Sequence, residues 1–265
     1  MIAPQYVKPF VKRQKNDAAD AEAIAEAASR PTMRFVAVKS AEQQSQAMVF
    51  KTRDLLLGQR TQAMNALRGH LAEYGVIAPQ GIQYFGNLAR VVEDGDAALP
   101  QAVVELAKEL PAHIGILNER ISALDERIRN IAKTDETARQ LMTIPGIGPI
   151  TATAMVAMAP PTSTFSKGRD FAAWLGLTPK QNSTGGKTRL GETSKMGQRD
   201  LRRLLILGAM AVVQKAARYG AAEGSWLSRM VARKPKMLVA VALANKIARI
   251  VWALMARGGV VVRRR

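Results

Sequence analysis

The chain has 265 residues, 48% of them hydrophobic, with 39 Lys+Arg against 21 Asp+Glu for a formal net charge of +18, and no cysteine. Such a length and composition suit one or two globular domains and exclude a disordered chain. The missing cysteines exclude disulfides, zinc knuckles and thiolate nucleophiles. A positive excess of this size repels itself unless a polyanion neutralises it, which points to nucleic acid, although a ribosomal or membrane-surface protein can share the balance. Aromatic residues are only 5%, which favours phosphate contacts over many base-stacking platforms.

In chain order, Met1–Lys15 is expected to be extended, because Pro4 and Pro9 bracket an alternating apolar stretch. From Asp17 the run DAADAEAIAEAA predicts a helix that stops near Pro31. A long helix is predicted from about Ser40 to Tyr74, ended by Gly75–Ile82, and a second from about Pro100 to Thr134. In the second, Ile114, Leu117, Ile121, Leu124, Ile128 and Ile131 recur at spacings of three and four, an a/d seam. That seam fits an antiparallel hairpin with the first long helix, or a dimerising coiled coil. From about Gln140 a second domain of shorter helices with glycine-rich turns is expected. The longest apolar stretches, Leu204–Val213 and Met237–Ala244, are short and flanked by charge, and the N-terminus has no apolar leader pattern. No membrane span or export signal is therefore expected, and the expected location is the cytoplasm.

Residues Leu141–Met158 read LMTIPGIGPITATAMVAM, an apolar helix end, a Pro-Gly-Ile-Gly turn and a small-residue helix. Gly146 and Gly148 allow positive φ and close backbone approach, and the second helix offers free N–H groups and its positive dipole end to a phosphate. This is a helix-hairpin-helix pattern that grips DNA backbone, with an ordinary αα-hairpin as the plainer reading. Between Pro179 and Gly197, four glycines stand among hydroxyls and lysines, which reads as a flexible cationic loop rather than a packed element. There Ser183 has Lys180, Lys187 and Arg189 as sequence neighbours, as a phosphate-attacking hydroxyl requires, while a phosphate-binding or structural turn is the commoner use of such a loop. Thr193 or Ser194 reads as the cap of the next helix, which carries Arg199, Arg202 and Arg203.

Asp17 and Asp20 stand three apart at a helix start, where two carboxylates can share a divalent metal or simply cap the helix and complement its dipole. Arg53, Arg60 and Arg68 form a stripe beside Gln59, Gln62 and Asn65, which reads as a solvated face or a nucleic-acid contact. His70 and His113 are too separated to pair as metal ligands. Trp174, Trp226 and Trp252 sit in apolar helical contexts and read as core.

Four blocks then carry a specific resemblance: IPGIGPITA, FAAWLGLTPKQNSTGGKTRLGETSKMGQRDLRRLL, ALANKIARIVWALM and RTQAMNALRGHLAEYGVIAPQG. Together they resemble the DEDD-type insertion-sequence transposases, and the likeness runs from about residue 10 nearly to the C-terminus. The resemblance implies a mainly α fold with a partial α/β RuvC-like remnant at 1–35 and a long helical hairpin or coiled coil at 36–138. A compact α-helical, serine-bearing domain with the helix-hairpin-helix follows at 139–258, then a basic tail at 259–265 that includes Arg263–Arg265. It implies Ser183 as the DNA-linking nucleophile, with Thr184 next in register. Lys15, Asp17, Asp20 and Ala21 reproduce the family's Lys-x-Asp-x-x-Asp-Ala pattern, which implies a Mg2+ site at Asp17 and Asp20. The family's other two acids lie upstream, so the expectation is a half-present metal site on an N-terminally truncated chain. DNA cleavage and rejoining is the implied activity, and a catalytically inactive DNA- or RNA-binding remnant is the alternative. The implied partners are DNA, a guide or bridge RNA and further copies of the chain as a dimer or tetramer, with no membrane. Nucleic-acid contacts are expected at Gly146, Gly148, Lys180, Lys187, Arg189, Lys195, Arg199 and Arg202, and at Arg53, Arg60 and Arg68.

Overall fold

The computed structural model describes residues 1–2, 4–12, 16–33, 35–94 and 99–259. Lys15 and the Arg263–Arg265 tail lie outside the described residues. The chain is mainly helical, as the composition and spacing predict. The start is not extended: α1 (Pro4–Val7) leads into a 3-10 turn at Lys8–Phe10. Pro4 and Pro9 each fall in a first turn, where a missing N–H breaks no bond. Helix α2 (Asp17–Ser29) is capped by Asn16, whose Oδ1 accepts from Ala18 N at 2.9 Å.

Helix α3 (Ala41–Ala72) begins with a capping box, in which Ser40 Oγ accepts from Gln43 N while the Gln43 side chain accepts from Ser40 N, each at 3.1 Å. A 3-10 turn at Ile82–Tyr84 leads into α4 (Phe85–Asp94), and α5 (Gln101–Thr134) returns alongside α3. Arg53 reaches Asp125 and Arg60 reaches Asn118, so the partner numbers fall as the first numbers rise and the pair runs antiparallel. The a/d seam is buried within the chain: Ile114, Leu117, Ile121 and Ile128 are at most 4% exposed. At the tip, Leu88 and Val92 of α4 close over Leu67, Leu71 and Ala107.

The second half opens with α6 (Glu136–Leu141), capped by Asp135, and α7 (Pro149–Met158), whose alanines let other helices approach from several sides. Helix α8 (Gly168–Trp174), strands β1 (Pro179–Gln181) and β2 (Leu190–Thr193), then α9 (Arg199–Tyr219), α10 (Trp226–Arg233) and α11 (Lys236–Arg257) complete the chain. Helices α9 and α11 pack along complementary stripes, Leu201, Leu205, Ala209 and Val213 against Val239, Ala240, Ala244, Ile247 and Val251. The same core takes in Ala47, Val49, Phe50 and Ile128 from the base of the long hairpin, so packing continues across the 138/139 boundary.

By length and composition α11 is the one helix among the described residues apolar enough to cross a membrane. Its apolarity is used in packing: Val239, Ala240, Ala244, Ala248 and Val251 are fully buried against neighbouring elements. The three tryptophans are half-buried at the margins of this core. Trp174 stacks on Phe171, and Trp252 Nε1 donates to Thr162 O at 3.3 Å.

Candidate nucleic-acid interface

The stretch expected to be a flexible loop is an antiparallel hairpin. Strands β1 and β2 pair with Pro179 opposite Thr193 and Gln181 opposite Leu190, and a further bridge joins Thr184 to Lys187. Gly185 and Gly186 have φ of 54° and 75°, the positive pair required by a type I′ turn, whose twist matches that of the strands. Lys187 N donates to Thr184 O at 3.0 Å and Thr184 N to Lys187 O at 3.3 Å. Two adjacent glycines in a polar stretch therefore mark a tight reversal here, not slack chain.

Ser183 lies one residue before this turn-closing pair and is exposed. Its Oγ accepts from Arg189 N at 3.3 Å, which fixes the hydroxyl at the neck of the hairpin. Lys180, Lys187, Arg189, Lys195 and Arg199 are exposed along the same hairpin and its exit, and none makes an ion pair among the described residues. The hydroxyl thus sits on a small, cationic, solvent-facing platform.

The base of the platform is clamped. Arg202 Nη1 donates to Leu175 O and Met196 O, both at 3.0 Å, tying α9 to both ends of the hairpin. Burial, and then the charge of Arg199, lowers the Arg202 pKa from the usual arginine value. Gly176 and Gly197 have positive φ, and a Cβ at Gly197 would stand 1.8 Å from Trp174 O. Arg202 thus spends its fork on chain carbonyls, unlike the free cations beside it. Neither Thr193 nor Ser194 caps α9: the cap position is Gln198, and Ser194 N donates to Thr178 O at 2.8 Å.

In the turn between α6 and α7, Gly146 has φ of 91°, Ile147 is 5% exposed, and Gly148 is the N-cap of α7 with no side-chain cap. Gly148 has φ of −98° and does not need the left-handed region. The close approach that Gly146 allows is made to the chain itself, against Gly208 of α9. Gly148 faces open space, with nothing within 4 Å of where its Cβ would stand. Helix α9 therefore supports both the glycine turn, at Gly208, and the serine hairpin, at Arg202, six residues or roughly 9 Å apart along its axis.

The arginine stripe of α3 is not simply a solvated face. Arg53 pairs with Asp125 at 2.5 Å, with both side chains mostly buried, and Arg60 Nη1 donates to Asn118 Oδ1 at 2.9 Å. Arg68 Nη1 donates to Asn65 Oδ1 at 2.7 Å on its own helix. Arg60, Asn65 and Arg68 line a cleft of 650 Å³ with Gln80 and Ile77, and no acid shares the lining. Its Arg60 and Arg68 keep a positive charge that Arg53 has had neutralised.

Asp17 and Asp20 both lie in the first turn of α2, after the Asn16 cap. Glu22, on the same helix, is held by Lys12 at 2.7 Å. Among the described residues no group of three or more His, Asp or Glu side chains gathers as a metal cluster, so the pair offers two carboxylates and no more. That number suits Mg2+, which binds through one or two carboxylates together with substrate phosphates.

The long helical arm, the glycine turn and the cationic serine hairpin sit in a chain whose comparisons define a class of protein, the transposases. Residues 138–222 match the profile described as Transposase IS116/IS110/IS902 family, and residues 1–76 match a second profile described as Transposase, DEDD_Tnp_IS110. A protein of Pseudomonas aeruginosa named "Probable family 20 transposase" is 48% identical over 97% of this chain and 77% of its own length. A Yersinia enterocolitica protein named "Transposase for insertion sequence element IS1328" is 41% identical over 98% of this chain and 77% of its own. The Coxiella burnetii "Transposase for insertion sequence element IS1111A" is 37% identical over 97% of this chain and 71% of its own. The chain belongs to the IS110/IS116 family of transposases.

Proposed function

We propose that this chain acts on DNA as the transposase of an insertion sequence, cutting and rejoining strands with Ser183 as nucleophile. The observation that carries the reading is the Ser183 hydroxyl, exposed at the neck of a hairpin whose lysines and arginine have no ion-pair partner among the described residues. In the proposed step Ser183 Oγ attacks a backbone phosphorus, the Oγ–P bond forms as a P–O bond to one sugar breaks, and the hydroxyl proton passes to the departing sugar oxygen. Lys180, Lys187 and Arg189 stabilise the added negative charge on the phosphoryl oxygens. Reversal by another sugar hydroxyl rejoins the strand and frees the serine.

The α6–α7 turn serves as a helix-hairpin-helix that holds backbone phosphate at the open N-terminus of α7, beside Gly148. Asp17 and Asp20 would hold Mg2+, which when bound supplies Lewis-acid polarisation of phosphoryl oxygen. Exposed Arg199 and Lys195 extend the phosphate contacts, and Arg60 and Arg68 add a second basic surface suited to DNA or a guide RNA. Assembly as a dimer or tetramer belongs to the same reading.

The test is a trapped adduct. Purified protein incubated with labelled insertion-element ends and Mg2+ is expected to give a protein–DNA species that survives denaturant and disappears in Ser183→Ala. An adduct of undiminished yield in that variant overturns the serine assignment. Ser183→Cys, which keeps a nucleophile, separates loss of chemistry from loss of the hairpin.

A further inference from the structure

Helices α8 and α11 form a groove of 480 Å³ that the serine hairpin and the glycine turn do not use. It is lined by Lys167 and Arg169 from the start of α8 and by Lys246, Arg249 and Arg257 from α11. All five are exposed, and none has an ion-pair partner among the described residues. The nearest acid in sequence, Asp170, is engaged by Ser166 Oγ at 2.6 Å, and α11 carries no acid at all.

The groove is built rather than incidental. A Cβ at Gly168 would stand 3.1 Å from Arg249 O and 3.3 Å from the Trp252 ring, so glycine lets the α8 backbone approach α11 more closely than a larger residue fits without a small shift. Lys246 Nζ is held 5.1 Å over the Trp226 ring, which fixes one cation without cancelling its charge. Along α11 the positions 246, 249 and 257 fall on one side, opposite the buried Ala244, Ala248 and Val251. They span roughly 16 Å of helix axis, enough for about three successive phosphates of one strand.

Five like charges with no ion-pair partner among the described residues raise the free energy of the folded chain, and a polyanion lowers that cost. Lysine and arginine are the only long polar side chains in the lining, and the Trp252 indole is already committed to Thr162 O, so the groove offers cationic donors of the kind that meet phosphate oxygen. We infer that the α8–α11 groove binds the sugar–phosphate backbone of duplex DNA, without regard to sequence, as a hold separate from the serine hairpin. The inference rests on the reading of the chain as a DNA-acting protein.

The experiment measures the dissociation constant for a random duplex against NaCl concentration, for the full chain and for Lys246→Gln/Arg249→Gln/Arg257→Gln. The expected result is a log–log slope shallower by about 2.7, or ~0.9 for each phosphate contact removed, with equal loss on unrelated sequences. The charge-preserving Lys246→Arg/Arg249→Lys/Arg257→Lys retains the slope. The single Arg249→Gln, expected to lower the slope by about 0.9, replaces the triple variant if the latter fails to fold by circular dichroism. An unchanged slope in a folded variant overturns the groove, as does a slope change confined to single-stranded RNA. Groove loss with a normal adduct at low salt leaves the serine chemistry standing, whereas a changed slope with no adduct in the wild type leaves only the groove.

Discussion

Gly146 and Gly208 meet backbone to backbone: a Cβ added at Gly208 would stand 1.9 Å from Gly146 O. The contact locks the α6–α7 turn onto the helix that also carries Arg202.

Two effects compete in Gly208→Ala. Alanine is the better helix former by about 1 kcal/mol, but its methyl must displace a carbonyl that has no free rotor. The clash wins, and we expect a net destabilisation of about 1–3 kcal/mol. Urea unfolding should show a lower midpoint with an unchanged slope, whereas a midpoint equal to or above wild type would mean that the two backbones do not touch.

The Gly185–Gly186 turn makes a sharper distinction between stability and activity. Each positive φ costs a β-carbon residue roughly 1–2 kcal/mol, so Gly185→Ala/Gly186→Ala should open the hairpin tip. The hairpin is exposed and its strands are short, so the global melting temperature should stay within a degree or two of wild type. Adduct formation should fall at least tenfold. Gly185→Asn, whose side chain tolerates this conformation, should restore it. A double-alanine variant with full activity would show that the turn does not position Ser183.

The Arg53–Asp125 pair supports the hairpin arm and is predicted to take no part in DNA binding. With side chains 17% and 22% exposed, it lies between a surface pair and a buried one. Arg53→Ala should cost about 1–3 kcal/mol by leaving Asp125 without its partner. Arg53→Met/Asp125→Leu should recover much of that, and the double-mutant coupling should exceed 0.5 kcal/mol, taken as about the lower limit for residues in contact. The salt dependence of DNA binding should be the same in both variants as in the unaltered chain. A shallower slope in Arg53→Met/Asp125→Leu would place that cation on phosphate instead.

The long helices were legible in the sequence because their apolar spacing and caps agree, as with Ser40 and Gln43 or the seam from Ile114 to Ile128. Which partner the seam meets was not legible, since a heptad pattern specifies a face and not its occupant. Helix α4 went unread: FGNLARVVED is short and opens with the weak helix formers Gly86 and Asn87, and it folds because Leu88 and Val92 find Leu67 and Leu71. The serine hairpin was misread as loose because its strands are polar and exposed on both faces, so no alternation marks them. A Gly-Gly pair four residues before Leu190 was the available signal. In the α3 stripe the sequence shows that Arg53 and Arg60 share a face, but their acceptors lie 72 and 58 residues away. The α8–α11 groove was hidden for the same reason, with Lys167 and Lys246 on distant stretches of chain that the fold brings together.

Because Phe50 and Ile128 sit in the same core as Leu141 and Leu205, the α3–α5 pair is anchored at one end and projects as a lever arm. Helix α5 alone, at 34 residues, is about 51 Å long. A small rotation about that anchored base would sweep the Arg60–Arg68 cleft through a much larger arc. The Arg60–Arg68 cleft thus stands out along the arm, away from the core that carries the serine hairpin.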